Sequence, residues 1–197
     1  MKMIRDVVES EKTCDRYGWQ ERFHGKIDEA FVIEGAAMND GQETHLLKLL
    51  KYYLEIHDRG TPAHTQFMPE ASIPELSGRV SYIDVSSGDP ERYAWLNHQP
   101  SPFQGVGEEL SGLRLIEHPL VRNALSCLGE YRRCSGTASP EFALIDQHMN
   151  NGRSGVDRIA VRRAFYRVML PLADEYGEIA KIAYSFRRIK ISDPGVV

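Results

Sequence analysis

Cysteine is scarce in this chain, three in 197 residues, and no two stand in a C-x-x-C pair. That spacing supplies neither half of a zinc finger. Cys14 stands apart, whereas Cys127 and Cys134 are seven residues apart and fit one helix face. All three are expected to be reduced thiols serving as small apolar side chains. Long hydrophobic runs are missing too, and none approaches the ~20 residues that a membrane span requires. The first ten residues carry acids where a secretory signal would be purely apolar. A cytoplasmic location with no membrane partner is therefore expected. Positive charge is not in excess: 24 Lys and Arg against 28 Asp and Glu leave a net −4. On that balance no nucleic-acid partner is expected. Internal repeats and low-complexity tracts are absent. So are G-x-S-x-G, a Walker loop, G-x-G-x-x-G after a strand, and H-E-x-x-H. Nucleophilic, nucleotide-binding and metal-hydrolytic chemistries lose their usual support.

What is present is a soluble composition, 42 % hydrophobic and 26 % charged. One domain of this size, alone or with an appendage, buries roughly 70 % of its unfolded surface and needs no disulfide or metal staple. The clearest local signal lies near the carboxy end. Phe165 to Ala173 and Glu178 to Phe186 are β-favouring apolar runs separated by the turn Asp174-Glu-Tyr-Gly177. Tyr166, Val168 and Leu170 fall on one side of the first run. Ala180, Ile182, Tyr184 and Phe186 fall on one side of the second.

Upstream, Thr44 opens a helix in which Leu46, Leu49, Leu50, Tyr53 and Leu54 recur at helical spacing until Arg59-Gly60. Leu47 broadens its stripe, as would suit packing across the sheet or against a second copy. A homodimer is expected on that ground. A short helix is expected over 70–76, antiparallel strands over 79–85 and 92–98, and a helix from Pro119 to about Arg133. Leu120, Ala124, Cys127, Leu128 and Tyr131 would form the buried side of that helix. A third strand is expected over 139–149, a loop over 150–155, and the final strand pair over 158–172 and 178–191. Residues 1–42 show no sustained period, with Phe31-Val-Ile33 fitting a short strand or a docking segment.

The resulting order is helix, strand, strand, short helices, long helix, strand, strand, strand. The residues that give it family character are Gly60-Thr-Pro62, Pro69, Ile73-Pro-Glu-Leu76, Val80 to Val85, Arg92-Tyr-Ala-Trp-Leu96, Gly105-Val-Gly107, Leu110-Ser-Gly112 and Tyr166 to Leu172. Together, over about residues 44 to 190, the chain resembles the PAS family, in particular its short bacterial single-domain members without a fused output domain. The resemblance implies an α+β fold, a five-stranded antiparallel sheet with helices between strands 2 and 3, here with an N-terminal helical extension. The expected boundaries are 1–42 for the extension, 43–191 for the PAS-like domain and 192–197 for a tail. One departure bears on the cavity mouth. The family's second strand usually runs directly into a Gly, whereas Leu96 is followed by Asn97-His-Gln-Pro100.

By the same resemblance the expected function is non-catalytic sensing or signalling. A small ligand would sit between the inner sheet face and the long helix, or a signalling protein would pair with the sheet. Tyr93, Trp95 and Asn97 share one face of the second strand, where aromatics can line a pocket or fill a core. His98, His118, Val121, Leu125, Tyr166, Val168 and Tyr184 complete the candidate ligand-binding set. His118 precedes the long helix, where haem-binding PAS relatives are similar in placing their axial ligand; a haem sensor is one alternative, and the cofactor stays open. A small cone-shaped enzyme of the isomerase or dehydratase kind is another, drawing on Asp84, Asp146 or Asp174 near strand ends. Those three read more simply as turn residues. Arg153, Arg158, Arg162, Arg163 and Arg167, with Arg187, Arg188 and Lys190, are expected to form a solvated sheet edge, or a cationic rim for an anionic ligand.

Overall fold

A computed structural model of the chain describes residues 10–15, 18–37, 42–60, 63–97, 112–117, 121–151 and 159–189. Its elements are β1 (Ser10–Asp15), β2 (Gly18–Gly25), α1 (Ile27–Ala36), α2 (His45–His57), α3 (Pro69–Ser72), β3 (Ser81–Asp84), β4 (Ala94–Asn97), α4 (Val121–Thr137), β5 (Glu141–Asn151), β6 (Ile159–Ala173) and β7 (Ile179–Ile189). All seven strands join one antiparallel sheet, in the order β1-β2-β5-β6-β7-β3-β4.

Within it, β3 to β7 form the expected five-stranded unit, with a 3-10 turn at Leu115–Glu117 and α4 between its second and third strands. The fold is α+β and PAS-like. The amino-terminal segment is more than helical. Its helix, α1, contains Phe31 to Ile33, but a β1–β2 hairpin precedes it and extends the sheet through β5. Apolar alternation could not announce that hairpin, because the inward residues of β2 that are buried or half-buried include Arg22 and His24.

Local chemistry explains the element ends. The Thr44 hydroxyl accepts from Leu47 N–H at 3.1 Å and caps α2. Pro74 has no N–H to donate, so the expected 70–76 helix is divided into α3 and a 3-10 turn at Pro74–Leu76. In the β6–β7 hairpin, the Asp174 carboxylate accepts from Tyr176 N–H (2.9 Å) and Glu178 N–H (3.0 Å), while Gly177 takes φ +87°. Asp84 likewise accepts from Ser86 N–H and Oγ–H at 2.9 and 2.6 Å. Both aspartates thus serve as turn residues.

Helices cover both faces of the sheet, so two cores form. On the outer face, Leu46, Leu49, Leu50 and Tyr53 of α2 and Ala30 of α1 pack on Val80, Phe142, Val168, Leu170, Leu172 and Ala183. Most of the α2 stripe is thereby covered inside one chain, with Leu54 left exposed, and the sequence-based ground for a second copy is weakened. On the inner face, Tyr131 and Cys134 of α4 pack on Ile83, Val85, Tyr93, Trp95, Leu115, Met169, Ile182 and Tyr184. Burial pushes the Cys134 thiol up, consistent with a small apolar filler.

α4 ends at Ala138, which holds φ +50°, a left-handed conformation that favours glycine. Ala138→Gly is expected to stabilise the chain by about 0.5–1 kcal/mol, raising Tm by roughly 2–4 °C. Calorimetry that shows a lower Tm would contradict this account of the helix end.

Candidate functional site

The antiparallel registers decide which candidate residues meet. Met169 is opposite Tyr184, and Val168 is opposite Ser185. The inner face therefore receives Met169, Ile182 and Tyr184, while Val168 and Leu170 join the outer core beside α2. Tyr166 also lies outside, stacked on Phe142 (centroids 5.4 Å apart) and beneath the Arg187 guanidinium. The two sets read from the hairpin thus occupy opposite sides of the sheet. Both faces are apolar, so alternation alone could not tell inner from outer.

Tyr93, Trp95 and Tyr184 do come together, under α4. The Trp95 indole N–H donates to the Tyr184 hydroxyl at 3.1 Å, linking β4 to β7 across β3. Tyr131 of α4 stands over Tyr184, with ring centroids 6.1 Å apart. The Tyr93 hydroxyl lies 3.3 Å from Ser135 Oγ. Tyr131 is the member of this group absent from the candidate ligand set, although its place on the buried side of the long helix was legible. Asn97 ends β4, and Val121 and Leu125 lie in the first turns of α4. His98 and His118 fall outside the described residues.

Beside the aromatic group lies a buried ionic cluster. Glu130 of α4, 1 % exposed, pairs with Arg167 of β6 and lies 3.5 Å from Arg22 of β2. The Arg167 guanidinium also sits 6.0 Å from the centre of the Tyr131 ring. His24 Nδ1 is 3.8 Å from Glu130 and 3.3 Å from Arg133 Nη2, and Arg133 also donates to both Glu141 oxygens at 2.8 and 3.1 Å. Burial pushes the Glu130 carboxyl up, but Arg167, Arg22 and His24 outweigh it and hold the group below its usual range.

A second cluster lies on the outer face. Glu34 of α1, 0 % exposed, accepts from Arg187 Nε and Nη2 at 2.7 and 2.8 Å and from the Thr44 hydroxyl. His45 Nε2–H donates to the Phe186 carbonyl at 3.0 Å; burial pushes its pKa down, keeping the ring neutral.

These clusters correct the reading of the arginines as a solvated edge. Arg167 and Arg187 hold buried carboxylates, whereas Arg188 is exposed. Arg162 and Arg163 lie on β6, and Arg153, Arg158 and Lys190 fall outside the described residues. No local pattern marks Glu34 or Glu130 for burial, because their partners are distant in the chain. Among the described residues, no group of three or more His, Cys, Asp and Glu is arranged to hold a metal ion, and no helix is long and apolar enough to cross a membrane.

No protein-family model matches the chain, and no curated protein does. A solved structure with which it shares similarity is titled "Structure of an RNA-binding Light-Oxygen-Voltage Receptor". Identity is 15 %, the TM-score is 0.29, and the match covers 82 % of this chain and 48 % of that one. The match thus spans about half the length of the receptor chain. Its title names RNA, which overturns the expectation that nucleic acid is excluded as a partner. RNA binding itself is a statement about that receptor.

Proposed function

We propose that this chain is a non-catalytic sensory module of the PAS type, holding a small ligand between the inner sheet face and α4. The observation that carries this reading is the indole-to-phenol bond between Trp95 and Tyr184 beneath Tyr131, a polar pair inside an apolar core. Such groups are the handles by which an apolar site orients a ligand. Tyr93, Trp95 and Tyr184 would line the site, and Asn97, His98, His118, Val121 and Leu125 stay candidates on the sequence alone. Tyr166 and Val168, on the other face, stand apart from it. A ligand that exchanges the Trp95–Tyr184 bond for its own would shift α4 against β7, and a signalling protein would read that shift.

The ionic cluster argues for positioning rather than chemistry. Glu130 is held by arginines and shut from solvent, where a general acid–base group needs access to substrate.

Native mass spectrometry of freshly purified protein tests the reading. A small-molecule adduct is expected that denaturation releases. Tyr184→Phe keeps the ring and removes the hydroxyl, and should reduce occupancy about fivefold, the worth of roughly one hydrogen bond. An adduct equally abundant in Tyr184→Phe and Trp95→Phe would place the ligand elsewhere.

A further inference from the structure

The carboxy-terminal half of α4 reaches strands at both ends of the sheet. Through Tyr131 it meets Tyr184 of β7, whose hydroxyl accepts the indole N–H of Trp95 on β4. Through Glu130, the residue before, it holds Arg167 of β6 and Arg22 of β2. The two contacts are joined, because the Arg167 guanidinium binds Glu130 Oε2 while lying over the Tyr131 ring. Along the sheet, Trp95 and Arg22 are separated by five strand spacings, about 24 Å. Across α4 the same two side chains are linked by one continuous series of packed and charged contacts.

The contact with β2 is the longer of the two ionic ones. Arg167 and Arg22 share Glu130 Oε2, but Arg22 lies at 3.5 Å, long for a charge-assisted hydrogen bond. His24 of the same strand stands 3.8 Å from the other Glu130 oxygen and 3.3 Å from Arg133 of α4. β2 in turn carries β1, which pairs with no further strand among those described. A terminal hairpin with one open edge is a part of a sheet that opens at low cost. A displacement of α4 over β7 therefore loses Arg22 before Arg167.

We infer that α4 couples the inner aromatic site to the β1–β2 hairpin. A ligand that displaces Tyr131 loosens Glu130 from Arg22, and the hairpin is the element whose docking on the sheet changes. The inference rests on the proposed ligand site for its input, and it names the output element that reading left open.

Coupling is reciprocal, so a change at β2 must register at the aromatic end. The reporter is the Trp95 indole N–H, one of two indoles in the chain and identified by its loss in Trp95→Phe. Its hydrogen exchange is followed by NMR in the whole chain without ligand. Arg22→Gln is expected to speed that exchange about threefold or more. Phe23→Leu, on the same strand but the opposite face, should leave it unchanged. In a Tyr131→Leu background, Arg22→Gln should add nothing. Arg22→Lys, which keeps the charge, replaces the glutamine variant if that one does not fold, and should act in the same direction. An indole rate unmoved in the folded Arg22 variant overturns the inference. So does an equal response to Phe23→Leu, which would mean that the strand ladder carries the effect, or an Arg22 effect that survives Tyr131→Leu. Because no ligand takes part, a silent indole and a missing adduct are separate failures.

Discussion

Glu130→Ala is expected to destabilise the chain by about 3–5 kcal/mol, because it leaves Arg167 and Arg22 in a buried cluster without the acid that compensates them. Urea unfolding followed by circular dichroism measures this directly. The effect joins three elements at once, since Glu130 lies on α4, Arg167 on β6 and Arg22 on β2. Double substitution of Glu130 and Arg167 should cost less than the sum of the single changes, as expected for groups that compensate each other. A loss below about 1 kcal/mol would mean that the pair behaves as an exposed one.

The cluster also sets an acid limb. A carboxylate whose folded pKa is depressed contributes fully above its unfolded value, about 4.3, and loses that contribution as pH falls through the folded one. Wild-type stability should therefore fall below about pH 4 more steeply than that of Glu130→Gln, and the gap between them should narrow. Glu141 acts with the opposite sign. Burial outweighs Arg133 and raises its carboxyl, so on acidification the folded state takes up that proton first. Parallel pH profiles for wild type and variant would remove Glu130 as the source of the limb.

Glu34→Ala should cost a similar amount, about 3–5 kcal/mol, but express it in another place. Glu34 is the contact through which α1 is fixed to Arg187 of β7 and to the capping threonine of α2. Its removal leaves Arg187 over the Tyr166 ring without its carboxylate. Hydrogen exchange should show α1 losing protection before the β6–β7 pair does, because α1 is short and exposes its opposite side. Glu34→Gln, which can still accept from Thr44, should lose roughly half as much. Unchanged exchange in α1 would show that apolar contacts alone hold it.

Much of the fold was legible. The 44–58 periodicity and its threonine cap gave α2, and the two apolar runs around Asp174 to Gly177 gave β6 and β7. Tyr93, Trp95 and Tyr184, all members of the candidate ligand set, meet under α4. Tyr166 and Val168 were grouped with them because alternation marks two sides of a strand without saying which side faces which helix. The register Met169–Tyr184 resolved that. The β1–β2 hairpin escaped because its inward residues include Arg22 and His24 rather than an apolar series.

From residue 44 onward the sequence by itself determined the order and kind of most elements, since period, turn residues and caps act within a few positions of one another. Tertiary structure alone decided which charges are buried. A buried carboxylate is tolerable only beside its cation, and here the partners stand far apart, Glu34 and Arg187 by 153 residues and Glu130 and Arg167 by 37. No local pattern can carry that information, because the desolvation cost and its compensation meet only after the sheet has formed.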